Sequence, residues 1–128
     1  MNEITKDDIE HFYDDIAPAV GLLQNVCHTL AVNGGWWENE RNDGELICLM
    51  HSELSEAMEG VRKDLQDEHL PHRKSVEVEL ADCIIRIMDY AGARGLDVGG
   101  AIFDKLAYNL EREDHKPANR EKEGGKRF

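Results

Sequence analysis

Apolar residues recur every three or four positions along almost the whole chain, and no stretch alternates convincingly in the manner of a strand. Ile9, Phe12, Ile16, Val20, Leu23, Val26 and Leu30 predict a first helix, which Pro18 kinks or divides and Gly34 with Gly35 ends. After the loop GGWWENE, Asn42 followed by Glu45 resembles a capping box. It opens a second helix running to about Lys63, with Leu46, Leu49, Met50, Leu54, Ala57 and Val61 on its stripe. Residues 64 to 74 are polar, contain Pro71 and hold no sustained period, so they read as a connection. Ser75 is placed to cap a third helix that Gly95 ends. Its main face carries Val76, Leu80, Cys83, Ile84, Ile87, Met88 and Ala91, while Val78 and Ile85 lie on the other side, a pattern that predicts burial on both faces, one of them by a second subunit. Asp97 caps a fourth helix bearing Val98, Ile102, Leu106 and Leu110. The expectation is an all-α helical bundle of four to five helices, assembled as a homo-oligomer.

One acid breaks the pattern. At 100° per residue, Glu53 falls among Leu46, Leu49, Met50 and Ala57, inside the stripe that faces the core. An unpaired buried carboxylate costs several kcal/mol or takes up a proton, so Glu53 requires a cation, an Arg or Lys, or a wet cleft. Glu56 lies one turn further on the same side. On the third helix Glu79 and Asp82 repeat the same spacing beside Arg86. Two packed helices bringing both pairs together make an oxygen-rich site suited to Mg2+ or Mn2+, hard cations that accept carboxylate and leave places for water and phosphate. Lys105, Asn109 and Arg112 share one face of the fourth helix, where their charges and amide match a phosphate chain.

Charge narrows the classes. With 27 Asp and Glu against 15 Lys and Arg, the net charge of −12 disfavours a broad grip on a nucleic-acid polymer or an anionic membrane. The basic residues concentrate at the end. Residues 115–128 hold five basic and two acidic side chains, so a domain of residues 1–114 is followed by a basic tail that is either disordered or folds over substrate. The uncharged stretch from Ile16 to Trp37 contains Pro18, Gly21, Gln24, Asn25 and His28, which excludes a membrane span. The opening MNEITKDD lacks the basic and apolar regions of a secretory signal, and Cys27, Cys48 and Cys83 form no metal-binding spacing, so a cytoplasmic protein with reduced thiols is expected.

Glu53-x-x-Glu56, a gap of 22 residues and Glu79-x-x-Asp82, together with SELSEAMEGVRK, VELADCIIRIMDYA, KLAYNLER and the final GGKRF, resemble the MazG-like all-α nucleoside triphosphate pyrophosphohydrolases over residues 34–128. The resemblance implies Mg2+-dependent cleavage of an NTP or dNTP to monophosphate and pyrophosphate in a helical homodimer or homotetramer. It implies that Glu53, Glu56, Glu79 and Asp82 hold metal, one of them orienting the attacking water, and that Lys105, Asn109 and Arg112 contact phosphates. Several branches of that family carry a further Glu where this chain has Ser52, so a dedicated base at that position is not carried over.

Trp36 and Trp37 are placed either to stack on a base or to close the core, and Lys126 with Arg127 to fold over phosphates from a Gly-hinged tail. His28, His51, Glu77 and Asp89 read as packing, surface or cap residues. Two alternatives stand beside the main reading: an enzyme like phosphoribosyl-ATP pyrophosphohydrolase, and a non-catalytic acidic helical dimer acting by protein contacts. A di-iron bundle is disfavoured because no His has a Glu three residues before it.

Overall fold

The computed structural model describes residues 3–126. It is all-helical: α1 (Lys6–Asn33), α2 (Asp43–Arg62), α3 (Ser75–Arg94) and α4 (Val98–Glu111) are the long elements, followed by a 3-10 turn (Glu113–His115) and a short α5 (Pro117–Arg120). The only β-type pairing among the described residues is the single bridge between Gln66 and Lys74. No helix among them is long and apolar enough to cross a membrane.

The chain divides into two compact units, Leu22–Leu96 and Met1–Gly21 with Asp97–Phe128. The first is built on an antiparallel pair, α2 and α3. Arg94 at the end of α3 reaches Asp43 at the start of α2 (2.7 Å), and Ser75 at the start of α3 sits against Gly60 near the end of α2. Leu46, Glu53, Ala57 and Gly60 form the buried face of α2, and Cys83, Met88 and Ala91 that of α3. The second half of α1 lies against the end of α3: Gln24 Nε2 donates to the Leu96 carbonyl at 2.7 Å, and a side chain at Gly92 would meet His28 Cβ at 2.6 Å. In the other unit the first half of α1 and α4 are antiparallel, tied by Lys6 to Glu111 (2.9 Å) and by an edge-on contact of Tyr13 with Phe103. Gly99 lets these helices approach, since a Cβ there would stand 2.9 Å from the Ala17 carbonyl.

The helix ends follow local chemistry. Asn42 caps α2 by accepting from the Glu45 N–H at 3.1 Å, Asp97 caps α4 through the Gly100 N–H at 2.9 Å, and Gly95 closes α3 at φ +65°. One expectation is narrowed and one is corrected. Pro18 does not divide α1; its missing N–H frees only the Asp14 carbonyl, on an exposed stretch where water can take it. Ser75 is the first residue inside α3 and not its cap, a position held by Lys74 without a side-chain bond. Within the single chain Met88 and Ala91 of α3 are covered near the contact with α1, while Leu80, Ile84 and Ile85 remain 45–49% exposed, as expected of a face left to a second subunit.

Candidate functional site

Residues 46, 53, 57 and 60 step along α2 by seven, four and three, so one face of the helix is buried and Glu53 lies within it, 7% exposed. Across the seam, Glu79, Asp82, Arg86 and Asp89 step along α3 by three, four and three and form a continuous polar stripe. Because the helices are antiparallel, the middle of α2 faces this stripe. Glu53, Glu56 and Glu79 each bring a carboxylate oxygen within 4.8 Å of the others. Asp82 stands beside this trio without joining it.

Arg86 Nε donates to Glu53 Oε1 at 2.8 Å. Burial pushes the Glu53 carboxyl up, but the Arg86 guanidinium and hydrogen bonds with Glu79 and Glu56 outweigh it and hold Glu53 below the usual carboxylate range. The proton goes to Glu79. Burial, followed by its hydrogen bonds and charge repulsion with Glu53 and Glu56, pushes Glu79 up to about 7. Asp82 is raised by burial and by the charges of Glu53, Asp67 and Glu56, partly countered by Arg86. Glu79 Oε2 is buried and accepts no hydrogen bond from a nitrogen or hydroxyl donor among the described residues, beside the carboxylates of Glu53 and Glu56. These groups fit a hard divalent cation, since an ion can satisfy the orphaned oxygen and relieve the repulsion that now holds a proton.

A cavity of about 440 Å³ opens beside this cluster. Glu53, Asp82 and Arg86 mark one end. Trp36, Arg41 and Asp89 line the rest with Cys27, Leu30, Ala31 and Ile85. Asp82 to Asp89 is two turns of α3, roughly 10 Å along its axis. Asp89 Oδ1 accepts from the Trp37 indole (2.9 Å) and from His28 Nδ1 (2.8 Å). Arg94 donates to the Arg41 carbonyl at 2.9 Å, and the guanidinium of Arg41 lies 5.3 Å from the Trp37 ring.

The two tryptophans part company. Trp36 is 67% exposed on the cavity wall, and Trp37 is held by Asp89, His28 and two arginines. Lys105, Asn109 and Arg112 belong to the other unit. There Lys105 and Arg112 flank the Tyr108 ring at 4.7 and 5.7 Å, Arg112 is also bound through both arms to Asp114, and Asn109 Oδ1 is buried without a hydrogen-bond partner among the described residues. Lys126 Nζ lies 3.3 Å from His115 Nε2, and its carbonyl accepts from Arg120; Arg127 lies outside the described residues. The sequence assigns Arg41 and Asp67 no role, and Asp89, expected as a surface or cap acid, is instead a part-buried acceptor for Trp37 and His28. Asp89 had a signal, since it sits seven residues after Asp82 and so on the same face; Arg41 and Asp67 lie in loops, where spacing says nothing. No family model, curated protein or solved structure matches the chain.

Proposed function

We propose that the protein is a Mg2+-dependent nucleoside triphosphate pyrophosphohydrolase that cleaves an NTP or dNTP to monophosphate and pyrophosphate. The carrying observation is the orphaned Glu79 Oε2 inside the trio of Glu53, Glu56 and Glu79, next to a cavity lined also by Arg41, Arg86 and the exposed Trp36 indole. The resemblance of the two acidic motifs to MazG-like enzymes supports the same reading. Glu53, Glu56 and Glu79, with Asp82 beside them, would hold Mg2+ or Mn2+. When bound, the ion supplies neutralisation of phosphate charge and stabilisation of the leaving pyrophosphate. Arg86 spends its Nε on Glu53, and its remaining N–H groups are available for phosphate oxygens. Glu56, the exposed member of the trio, would orient the attacking water and take its proton. The other wall, with Trp36, would hold the base.

Association of two or four copies is supported by apolar residues that the single chain leaves open on α2 and α3, Met58 and Val61 at 63% and Ile84 at 49%. The same surface favours the second reading, a non-catalytic helical dimer acting through protein contacts. A panel of canonical and modified nucleotides with Mg2+, assayed for pyrophosphate, monophosphate and orthophosphate, separates them. Equimolar pyrophosphate and monophosphate is the expected result. Orthophosphate release refutes the assigned bond, and no turnover of any nucleotide leaves the dimer reading in its place.

A further inference from the structure

Asp89 is a half-buried carboxylate with an uneven set of partners. Its side chain is 15% exposed, and both donors, Trp37 and His28, address the same oxygen, Oδ1. Oδ2 has no hydrogen-bond partner among the described residues, and Asp89 lines the cavity two turns of α3 away from Asp82. Two donors from different elements, one on α1 and one in the loop after it, hold the carboxylate in place. Asp89, acceptor-only when ionised, therefore presents a fixed acceptor to the cavity it lines.

The acidic trio, suited to a metal ion, and the remaining N–H groups of Arg86 belong to the other end of the cavity, and under the nucleotide reading that end takes the triphosphate. Trp36 stands exposed on the same cavity, a face on which an aromatic ring can stack. Bases differ in what their edges present: cytosine and adenine carry an exocyclic amino donor, whereas uracil and hypoxanthine carry a carbonyl at the same place.

Resting on the nucleotide reading above, we infer that Asp89, clamped by Trp37 and His28, selects nucleotides whose base carries an exocyclic amino group. An amino edge donates to Oδ2. A carbonyl edge sets two acceptors against each other and leaves a desolvated carboxylate oxygen unpaired, the situation in which polar sites discriminate most strongly. The base sits between this carboxylate and Trp36.

The experiment compares dCTP with dUTP and dATP with dITP, pairs of equal ring size that differ at the amino position. Hydrolysis with Mg2+ gives kcat/KM, and quenching of tryptophan fluorescence with Ca2+ in place of Mg2+ gives Kd without relying on turnover. The wild-type protein is expected to favour the amino member of each pair by about tenfold or more. In Asp89→Asn the amide oxygen keeps the Trp37 and His28 bonds and turns its NH2 to the cavity, so the preference collapses or reverses. Where Asp89→Asn does not fold, Trp37→Phe releases one clamp and is expected to lower the same ratio. Equal use of both members by the wild-type protein, or an unchanged ratio in the folded variant, overturns the assignment. Binding preference without hydrolysis would retain the selectivity of Asp89 and refute the proposed reaction, and hydrolysis without preference does the reverse.

Discussion

Arg86 and Glu53 are joined at 2.8 Å across the seam between α2 and α3, so the most buried acid of the cluster has a cationic partner within the chain itself. The pair divides labour: Glu53 is held below the usual carboxylate range, and the proton falls on Glu79.

Removing the guanidinium should therefore make the protein more dependent on metal. Arg86→Gln leaves Glu53 buried without its cation, and a loss of about 1–3 kcal/mol is expected in EDTA, toward the lower end because Arg86 is itself 40% exposed. Added Mn2+ should recover more of the loss than it stabilises the wild-type protein. Thermal unfolding with and without the ion measures both. Equal metal stabilisation of the two proteins would count against a shared site.

Ligand removal should separate activity from folding. Glu53→Gln and Glu56→Gln each replace a carboxylate oxygen by an amide of the same shape, so helix content measured by circular dichroism should hold while pyrophosphate release falls by more than about 100-fold. Wild-type turnover in either folded variant contradicts its role.

The raised Glu79 fixes the sign of a pH effect. Unfolded, this carboxyl ionises near 4.5; folded, at about 7. The folded state thus holds a proton that the unfolded state releases, and the stability linked to it is fully present below 4.5 and lost as pH rises through 7. In EDTA the difference in melting temperature between wild type and Glu79→Gln should shift against the wild type over that interval. Because an ion must displace this proton, Mn2+ affinity should climb across the same range and then level off. Isothermal titration in buffers of different ionisation heat detects the released proton. An affinity independent of pH between 5 and 8 would be inconsistent with a protonated Glu79.

Gly92 supplies a purely structural test. A methyl at this position would meet His28 Cβ at 2.6 Å, so Gly92→Ala should destabilise by about 1–3 kcal/mol despite the better helix propensity of alanine. Denaturant unfolding gives the value. A stabilised variant would mean that the contact between α1 and α3 yields freely.

Local rules read much of this protein from its sequence. Asn42, Gly95 and Asp97 act within three or four residues of themselves, and Glu53 betrays its burial because four helical neighbours share its face. Relations across elements did not follow. Trp37 and Asp89 are 52 residues apart, and nothing in the period of either segment states that an indole will meet a carboxylate. Arg86 was visible beside the acids, but its choice of Glu53 depends on the antiparallel register of α2 and α3. Pro18 left its outcome open for a different reason: whether it divides a helix depends on whether the orphaned carbonyl is wet, which is a property of the surface and not of the residue.

The connection between α2 and α3 closes at its base, where the Ser75 N–H donates to the Leu65 carbonyl at 2.9 Å and Lys74 meets Asp64 at 2.7 Å. Its tip, around His69 and Leu70, hangs beyond that closure. The tip is nonetheless tied to the acids: the His69 and Leu70 N–H groups hold the Asp67 carboxylate whose charge reaches Asp82, so residues spliced in beyond the closure would leave the helices aligned while shifting the field at Asp82.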